Sequence, residues 1–209
     1  MHLTKEFELA KQALDNSQVI AFPTETVMGL GVYFDDFAAY QLLNKIKNRP
    51  EDKPYTLMLG KKEDIEKFAF VSKRDTLIIN AFIPGPVTLL LKSKDNIPGY
   101  VTHNTGVIGV RVPKLELVQD LINYCGKPLL VPSANKSGEK PALTSLEVKQ
   151  VFKDELGYIF EFDCLGQRPS TIIDLTSEQV KILREGPISL EDINKVLKGD
   201  LTINKSSKN

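Results

Sequence analysis

The stretch Pro128-Leu129-Leu130-Val131-Pro132-Ser133-Ala134-Asn135-Lys136-Ser137-Gly138 sets a short apolar run against a loop of hydroxyls, an amide, an amine and a glycine. The apolar half reads as a strand, and open α/β sheets place their ligands in the loops beyond strand ends. Ser, Asn and exposed backbone amides can hold a phosphate or carboxylate without a metal. The same residue types are also ordinary turn formers, so the surrounding chain has to decide.

Working outward, residues 107–112 and 87–91 read as strands, and 115–124 as the helix leading into the quoted stretch. Leu3, Phe7, Ala10 and Leu14 recur at helical spacing ahead of a β-like run over 18–22, which Pro23 breaks. Residues 27–34 form an apolar stretch, and Ala38, Leu42 and Ile46 mark a helix expected to end at Pro50. A strand over 55–59 and helices over 62–68 and 72–82 follow, the last stopped by Pro84-Gly85-Pro86. Beyond the quoted loop come a helix near 143–153, strands near 159–162, 171–175 and 180–184, and a helix near 190–197. Antiparallel pairing is expected among these three late strands. The spacing predicts one α/β domain over 1–198, with a twisted mixed sheet and flanking helices, then a polar tail over 199–209. No GxGxxG opens a helix, which argues against a regular Rossmann pattern.

Composition narrows the function classes. Lys plus Arg and Asp plus Glu are equal at 27 each, so attraction to nucleic acid needs a local patch. His2 and His103 are too few and too separated for a histidine metal site or a Ser-His-Asp triad. Cys125 and Cys164 form no CxxC pair and read as reduced thiols of an intracellular protein. No apolar run approaches bilayer length, so the expectation is a cytoplasmic chain with no membrane association.

Several segments put polar groups at apolar strand or helix ends. Thr24 and Thr26 flank Glu25 directly after a strand, and Gly29 and Gly31 would let a ligand approach the backbone. Lys45, Lys47, Arg49 and Lys53 gather at a helix end, where cations favour the macrodipole, and an Arg fork with an ammonium also suits phosphate or carboxylate. Arg111 lies in an apolar strand and needs a partner, either a salt bridge or a ligand phosphate. Ser170 and Arg184 repeat the pattern, whereas Pro84-Gly85-Pro86-Val87-Thr88 reads as a turn with a structural role. Together they describe a concave site of hydroxyls, an amide and cations, without a histidine base or a carboxylate cluster. Such a set positions a ligand and stabilises phosphate, and a nucleotide is the expected substrate.

In order along the chain, PTETVMGLG (23–31), KNRPEDK (47–53), PGPVT (84–88), IGVRVP (108–113), PSANKSG (132–138), PSTIID (169–174) and ILREG (182–186) resemble the YrdC/Sua5 group of threonylcarbamoyl-AMP synthases. That resemblance implies a YrdC-like α/β domain with a large concave cavity. It implies synthesis of threonylcarbamoyl-AMP and pyrophosphate from L-threonine, bicarbonate and ATP, the product serving threonylcarbamoyladenosine modification beside the anticodon of tRNA. Lys47, Arg49, Ser133 and Asn135 match the family's Lys-x-Arg and Ser-x-Asn pairs and become the expected catalytic residues. Thr24, Thr26, Arg111, Ser170 and Arg184 become the expected substrate and nucleotide contacts. Mg²⁺ is expected with ATP, bridging phosphate oxygens, and no protein metal site is expected. Partners implied are tRNA and the downstream tRNA threonylcarbamoyl transferase complex. Met28 departs from the aromatic residue usual at its position, and the chain looks like the family's short form. A non-catalytic RNA- or tRNA-binding module and an inactive paralogue on the same fold are the alternatives.

Overall fold

The computed structural model describes residues 2–49, 54–164, 166 and 168–206. In chain order the elements are α1 (His2–Asp15), β1 (Ile20–Phe22), β2 (Gly29–Tyr33), α2 (Phe37–Lys47), β3 (Thr56–Met58), α3 (Ile65–Phe68), α4 (Lys73–Phe82), β4 (Val87–Lys92), α5 (Gly99–Thr102), β5 (Val107–Arg111), α6 (Glu116–Cys125), β6 (Leu129–Val131), α7 (Ser145–Phe152), β7 (Tyr158–Ile159), β8 (Thr171–Asp174), β9 (Lys181–Arg184) and α8 (Leu190–Ser206). Among the described residues no helix is long and apolar enough to cross a membrane.

The strands form a single open mixed sheet in the order β7-β1-β2-β6-β3-β5-β4-β8-β9. Side chains alternate between the two faces of a strand, so the register assigns each residue a side. On one face Leu57, Val110, Leu89, Ile173 and Leu130 lie in a row and belong to the larger core. Helices α2, α4, α7 and α8 cover that row through Leu43, Ile78, Val148 and Ile193, each at most 0% exposed. On the other face Ile20, Phe22, Tyr33, Met58 and Leu129 form a second, smaller core beneath α1 and α6. Those two helices cover only part of this face. Thr56, Thr88, Arg111 and Ile172 continue the same row beyond them and line an open cleft.

Local sequence explains the element ends that matter for the cleft. Helix α2 starts where the Asp36 carboxylate accepts the Ala39 N–H, satisfying one of the helix's orphan donors. It stops at Asn48, whose left-handed backbone (φ 49°) returns its N–H to the carbonyls of Asn44 and Lys45. Pro50, the expected terminator, lies outside the described residues. Ser72 and Asp75 form a capping box on α4, and Thr144 and Glu147 another on α7.

Three expectations change. Only β8 and β9 pair antiparallel; β7 instead runs parallel to β1 at the far edge, and β8 runs parallel to β4. Strand periodicity reports which residues alternate and carries no record of the partner. The last helix runs past residue 197 to Ser206, through the start of the segment expected to be a polar tail. Residues 188–206 contain no proline, and one glycine costs a helix only about 1 kcal/mol.

Gly29 lines the cleft, whereas Gly31 has a packing purpose in place of the expected one. A Cβ on Gly31 would lie 2.6 Å from Cε1 of Phe22, and one on Gly29 would lie 2.9 Å from Cγ1 of Val131. Gly31 therefore seats the Phe22 ring against β2, beside the cleft. Because Phe22 is fully buried its ring cannot move away freely. Gly31→Ala is expected to destabilise the fold by about 1–3 kcal/mol through overpacking, read as a lower denaturant midpoint at unchanged slope.

Candidate active site

The cleft encloses about 760 Å³, counting its open mouth. Its floor is the uncovered row of the sheet, and its walls are residues 24 and 26–28 after β1, Pro132 and Ser133 after β6, Pro169 and Ser170 before β8, and Arg49, Pro54 and Tyr55 ahead of β3. Small side chains at Thr56, Thr88 and Gly109 keep the floor low. Of the nine residues expected from the sequence, Thr24, Thr26, Arg49, Arg111, Ser133, Ser170 and Arg184 line the cleft. Lys47 and Asn135 lie behind it.

Lys47 is 1% exposed, and its ammonium donates to the backbone carbonyls of Ser133 and Asn135, each at 2.6 Å. Its own carbonyl accepts the Ser137 N–H at 2.7 Å. The end of α2 and the 132–137 loop are thus tied at three points. Lys136 adds a fourth, donating to the Ile46 carbonyl at 2.7 Å while pairing with Glu155. Asn135 accepts from the Ser133 hydroxyl at 2.6 Å and donates to the carbonyls of Lys136 and Glu139. The loop is laced on its other side to β2 and its entry, with Ala134 N–H on the Met28 carbonyl and Leu30 N–H on that of Pro132. Ser133 is carried into the cleft by this lacing.

Arg49 lies at the cleft mouth with its guanidinium carbon 4.5 Å from the centre of the Tyr55 ring. It also donates to the Pro54 carbonyl at 2.9 Å, and the Tyr55 hydroxyl donates to Asn44 at 2.5 Å. Sequence periodicity marks Tyr55 only as a strand residue, so its place under Arg49 was legible only in three dimensions.

Arg111 is 7% exposed and resolves its charge within the protein. Its Nη2 donates to the Thr26 hydroxyl at 2.9 Å and stands 3.0 Å from Glu25 Oε2, an ion pair lacking hydrogen-bond alignment. Glu25 is a residue the sequence offered only as the carboxylate between two threonines. Thr24 Oγ1 accepts the N–H groups of Thr26 and Val27 and lies 2.7 Å from the Val27 carbonyl and 2.8 Å from the Thr26 hydroxyl. The Thr26 hydroxyl, held between Thr24 and Arg111, faces the cleft.

At the far end Arg184 donates through Nε to the Ser170 carbonyl at 3.0 Å and through Nη2 to the Ser170 hydroxyl at 3.1 Å. Burial of the guanidinium, and then the neighbouring Arg111, lower its pKa from the ordinary arginine value. Gly186 sits against this turn so closely that a Cβ would meet the Thr171 nitrogen at 2.4 Å. Cys164, packed near Thr24, has its thiol pushed up to about 11 by burial, so it supplies no thiolate at neutral pH. Among the described residues no three His, Cys, Asp or Glu side chains gather as a metal site.

The family model for Sua5, YciO and YrdC proteins, described as telomere recombination, matches residues 12–186. The chain belongs to this Sua5/YciO/YrdC family. It is 36% identical over 184 residues to the threonylcarbamoyl-AMP synthase of Vibrio parahaemolyticus, covering 86% of this chain and 98% of that one. Sua5 of Pyrococcus abyssi, solved in complex with L-threonine, superposes with a TM-score of 0.87 at 31% identity. That match covers 91% of this chain and 57% of the Sua5 chain. YciO of Escherichia coli superposes with a TM-score of 0.83 at 26% identity, covering 90% and 93%.

Lys47 gives this family member a measurable electrostatic signature. Burial first, then Arg49 and Lys136, lower its pKa from 10.5 to about 7. Between those values the unfolded chain holds a proton that the folded chain has released, so stability rises with pH across that window. Relative to Lys47→Met, the unfolding free energy of the unsubstituted chain is expected to climb from pH 7.5 to 9.5. The slope is at most about 1.4 kcal/mol per unit, because the two carbonyls favour the ammonium form. Urea melts of both proteins at several pH values measure it, and parallel curves would contradict a lowered pKa.

Proposed function

We propose that this protein is an L-threonylcarbamoyladenylate synthase, joining L-threonine, bicarbonate and ATP into threonylcarbamoyl-AMP with release of pyrophosphate. The observation that carries the reading is the distribution of cations and hydroxyls along one cleft: Arg49 and Ser133 at one end, Arg111 with Thr26 in the middle, Ser170 and Arg184 at the other. Three separated cations suit a ligand with several anionic groups. No histidine lines the cleft, so positioning and charge stabilisation have to carry the chemistry.

In the proposed reaction the threonine amine attacks the bicarbonate carbon. A C–N bond forms, water leaves, and the nitrogen loses a proton to give a carbamate. A carbamate oxygen then attacks the α-phosphorus of ATP, and the bond to the bridging oxygen of pyrophosphate breaks. The Arg111 corner suits the amino acid: the guanidinium faces its carboxylate, and the Thr26 hydroxyl meets its amine. Thr24 fixes the Thr26 hydroxyl for that task. Arg49 and Ser133, whose hydroxyl is turned to Asn135, border the pyrophosphate end, where Arg49 meets the accumulating charge, and Ser170 and Arg184 hold the nucleotide side. Lys47 and Asn135 contribute by holding the Ser133 loop in register.

Mg²⁺ fits this donor set as an ion carried on the phosphates, since no carboxylate lines the cleft among the described residues and Glu25, beside Thr24 and Thr26, is paired with Arg111. When bound it would neutralise phosphate charge. The product's use in tRNA modification, with tRNA and a transferase complex downstream, belongs to the same proposal. The non-catalytic RNA-binding alternative has no supporting feature of its own in the cleft.

Purified protein is expected to release pyrophosphate from ATP and Mg²⁺ only when threonine and bicarbonate are both present. Release without threonine, or none with every component supplied, would refute the synthase reading. Arg49→Ala is expected to lower kcat/KM at least about tenfold, equivalent to roughly 1.4 kcal/mol of transition-state stabilisation, while circular dichroism stays unchanged. Full activity in that variant would remove Arg49 from the site.

A further inference from the structure

The segment Pro84-Gly85-Pro86-Val87-Thr88 reads from the sequence as a turn, yet the structure gives its last residue a polar task. Thr88 is 3% exposed, at the beginning of β4, on the row that floors the cleft. Its hydroxyl lies 2.9 Å from that of Ser170, which is also 3% exposed and 82 residues away in sequence. Strands β4 and β8 pair in parallel with Thr88 opposite Ile172, and this register brings Ser170, the residue just before β8, beside Thr88.

The protons at this corner can be counted. Two hydroxyls carry two protons, and one is used between them. Arg184 can only donate, and it already donates to the Ser170 oxygen. One O–H therefore remains for the cleft, beside the remaining N–H groups of Arg184. The corner offers donors to a ligand and asks for acceptors, which is the chemistry of an oxyanion.

Resting on the synthase reading, we infer that Thr88 is a positioning residue for the nucleotide. It fixes the direction of the Ser170 hydroxyl, so that this proton and the Arg184 fork converge on one oxyanion of ATP. Thr88 acts through Ser170. Without the Thr88 oxygen, Ser170 keeps its proton but loses the partner that orients it, while a β-branched side chain of the same shape still fills the floor.

The test uses the full chain with Thr88→Val, Thr88→Ser, Ser170→Ala and the double variant Thr88→Val/Ser170→Ala. Each is read for ATP binding with Mg²⁺ by calorimetry, for KM and kcat of pyrophosphate release, and for thermal midpoint. Thr88→Val is expected to weaken ATP binding and raise its KM about five- to tenfold, the worth of one oriented hydrogen bond, with the thermal midpoint little changed. Thr88→Ser, which restores the hydroxyl, is expected within about twofold of the unsubstituted protein on the same scale. On the Ser170→Ala background the valine should cost nothing further, because residues acting through one contact are not additive. Unchanged ATP binding in Thr88→Val, a serine variant as weak as the valine, or an equal loss on the Ser170→Ala background would each overturn the inference. A protein that binds ATP but releases no pyrophosphate would refute the synthase reading separately, leaving the binding comparison to decide Thr88.

Discussion

A single buried ammonium joins the parts of this molecule that have to meet. Lys47 ends α2, and its two bonds reach carbonyls 86 and 88 residues further along the chain. Removing a buried donor leaves each carbonyl unsatisfied, at about 1–3 kcal/mol apiece, and burying the charge already works against the fold. Such a contact persists because it fixes the loop that carries Ser133 relative to Arg49, two residues beyond Lys47. Residues that look like two independent motifs are, in space, one clamp. The clamp also explains why Lys47 and Asn135 stand behind the cleft wall: their polar atoms hold the wall in shape.

A second constraint is the unequal covering of the sheet. One face is sealed by α2, α4, α7 and α8, whereas α1 and α6 reach only part of the other. Where the helices stop, the sheet presents Thr56, Thr88, Gly109 and Arg111 beside Met58 and Ile172, so small and polar residues take over much of the row. The site is therefore a region where the core stops. Its cations are held in place, however: Arg111 rests on Thr26 and Glu25, and Arg184 on Ser170. Only Arg111 has a carboxylate beside it among these contacts, so the cleft keeps a positive excess that a chain with equal numbers of acidic and basic residues does not show as a whole.

Much of this was legible in the sequence because its signals are local. Helical spacing at Ala38, Leu42 and Ile46 and the apolar runs at 87–91 and 107–112 correspond to α2, β4 and β5. The ordered motif blocks named the family. Pairing was not legible: β7 joins β1 across more than a hundred residues, and alternation along β7 says nothing of its neighbour. Purpose was legible in part. Gly31 signals close approach correctly, but the approaching group is the Phe22 ring. Thr88 and Tyr55 carry no signal of their own, since a threonine after a proline turn and a tyrosine in a strand are ordinary. Their meaning comes from Ser170 and Arg49, which the fold delivers from elsewhere.

Strand β9 is the outer strand of the sheet, and it carries Arg184. One of its sides has no neighbouring ladder among the described residues, and its side chains are largely exposed. Edge elements with few buried contacts open at lower free energy than the centre of a domain. Each such opening withdraws the guanidinium from the cleft while the two cores remain intact. Ligand held by Arg184 and Ser170 must in turn favour the closed edge, by mass action on the form that binds it. Amide exchange along residues 181–184 thus becomes a local reporter of occupancy, slowing as the cleft fills even where the rest of the sheet exchanges as before.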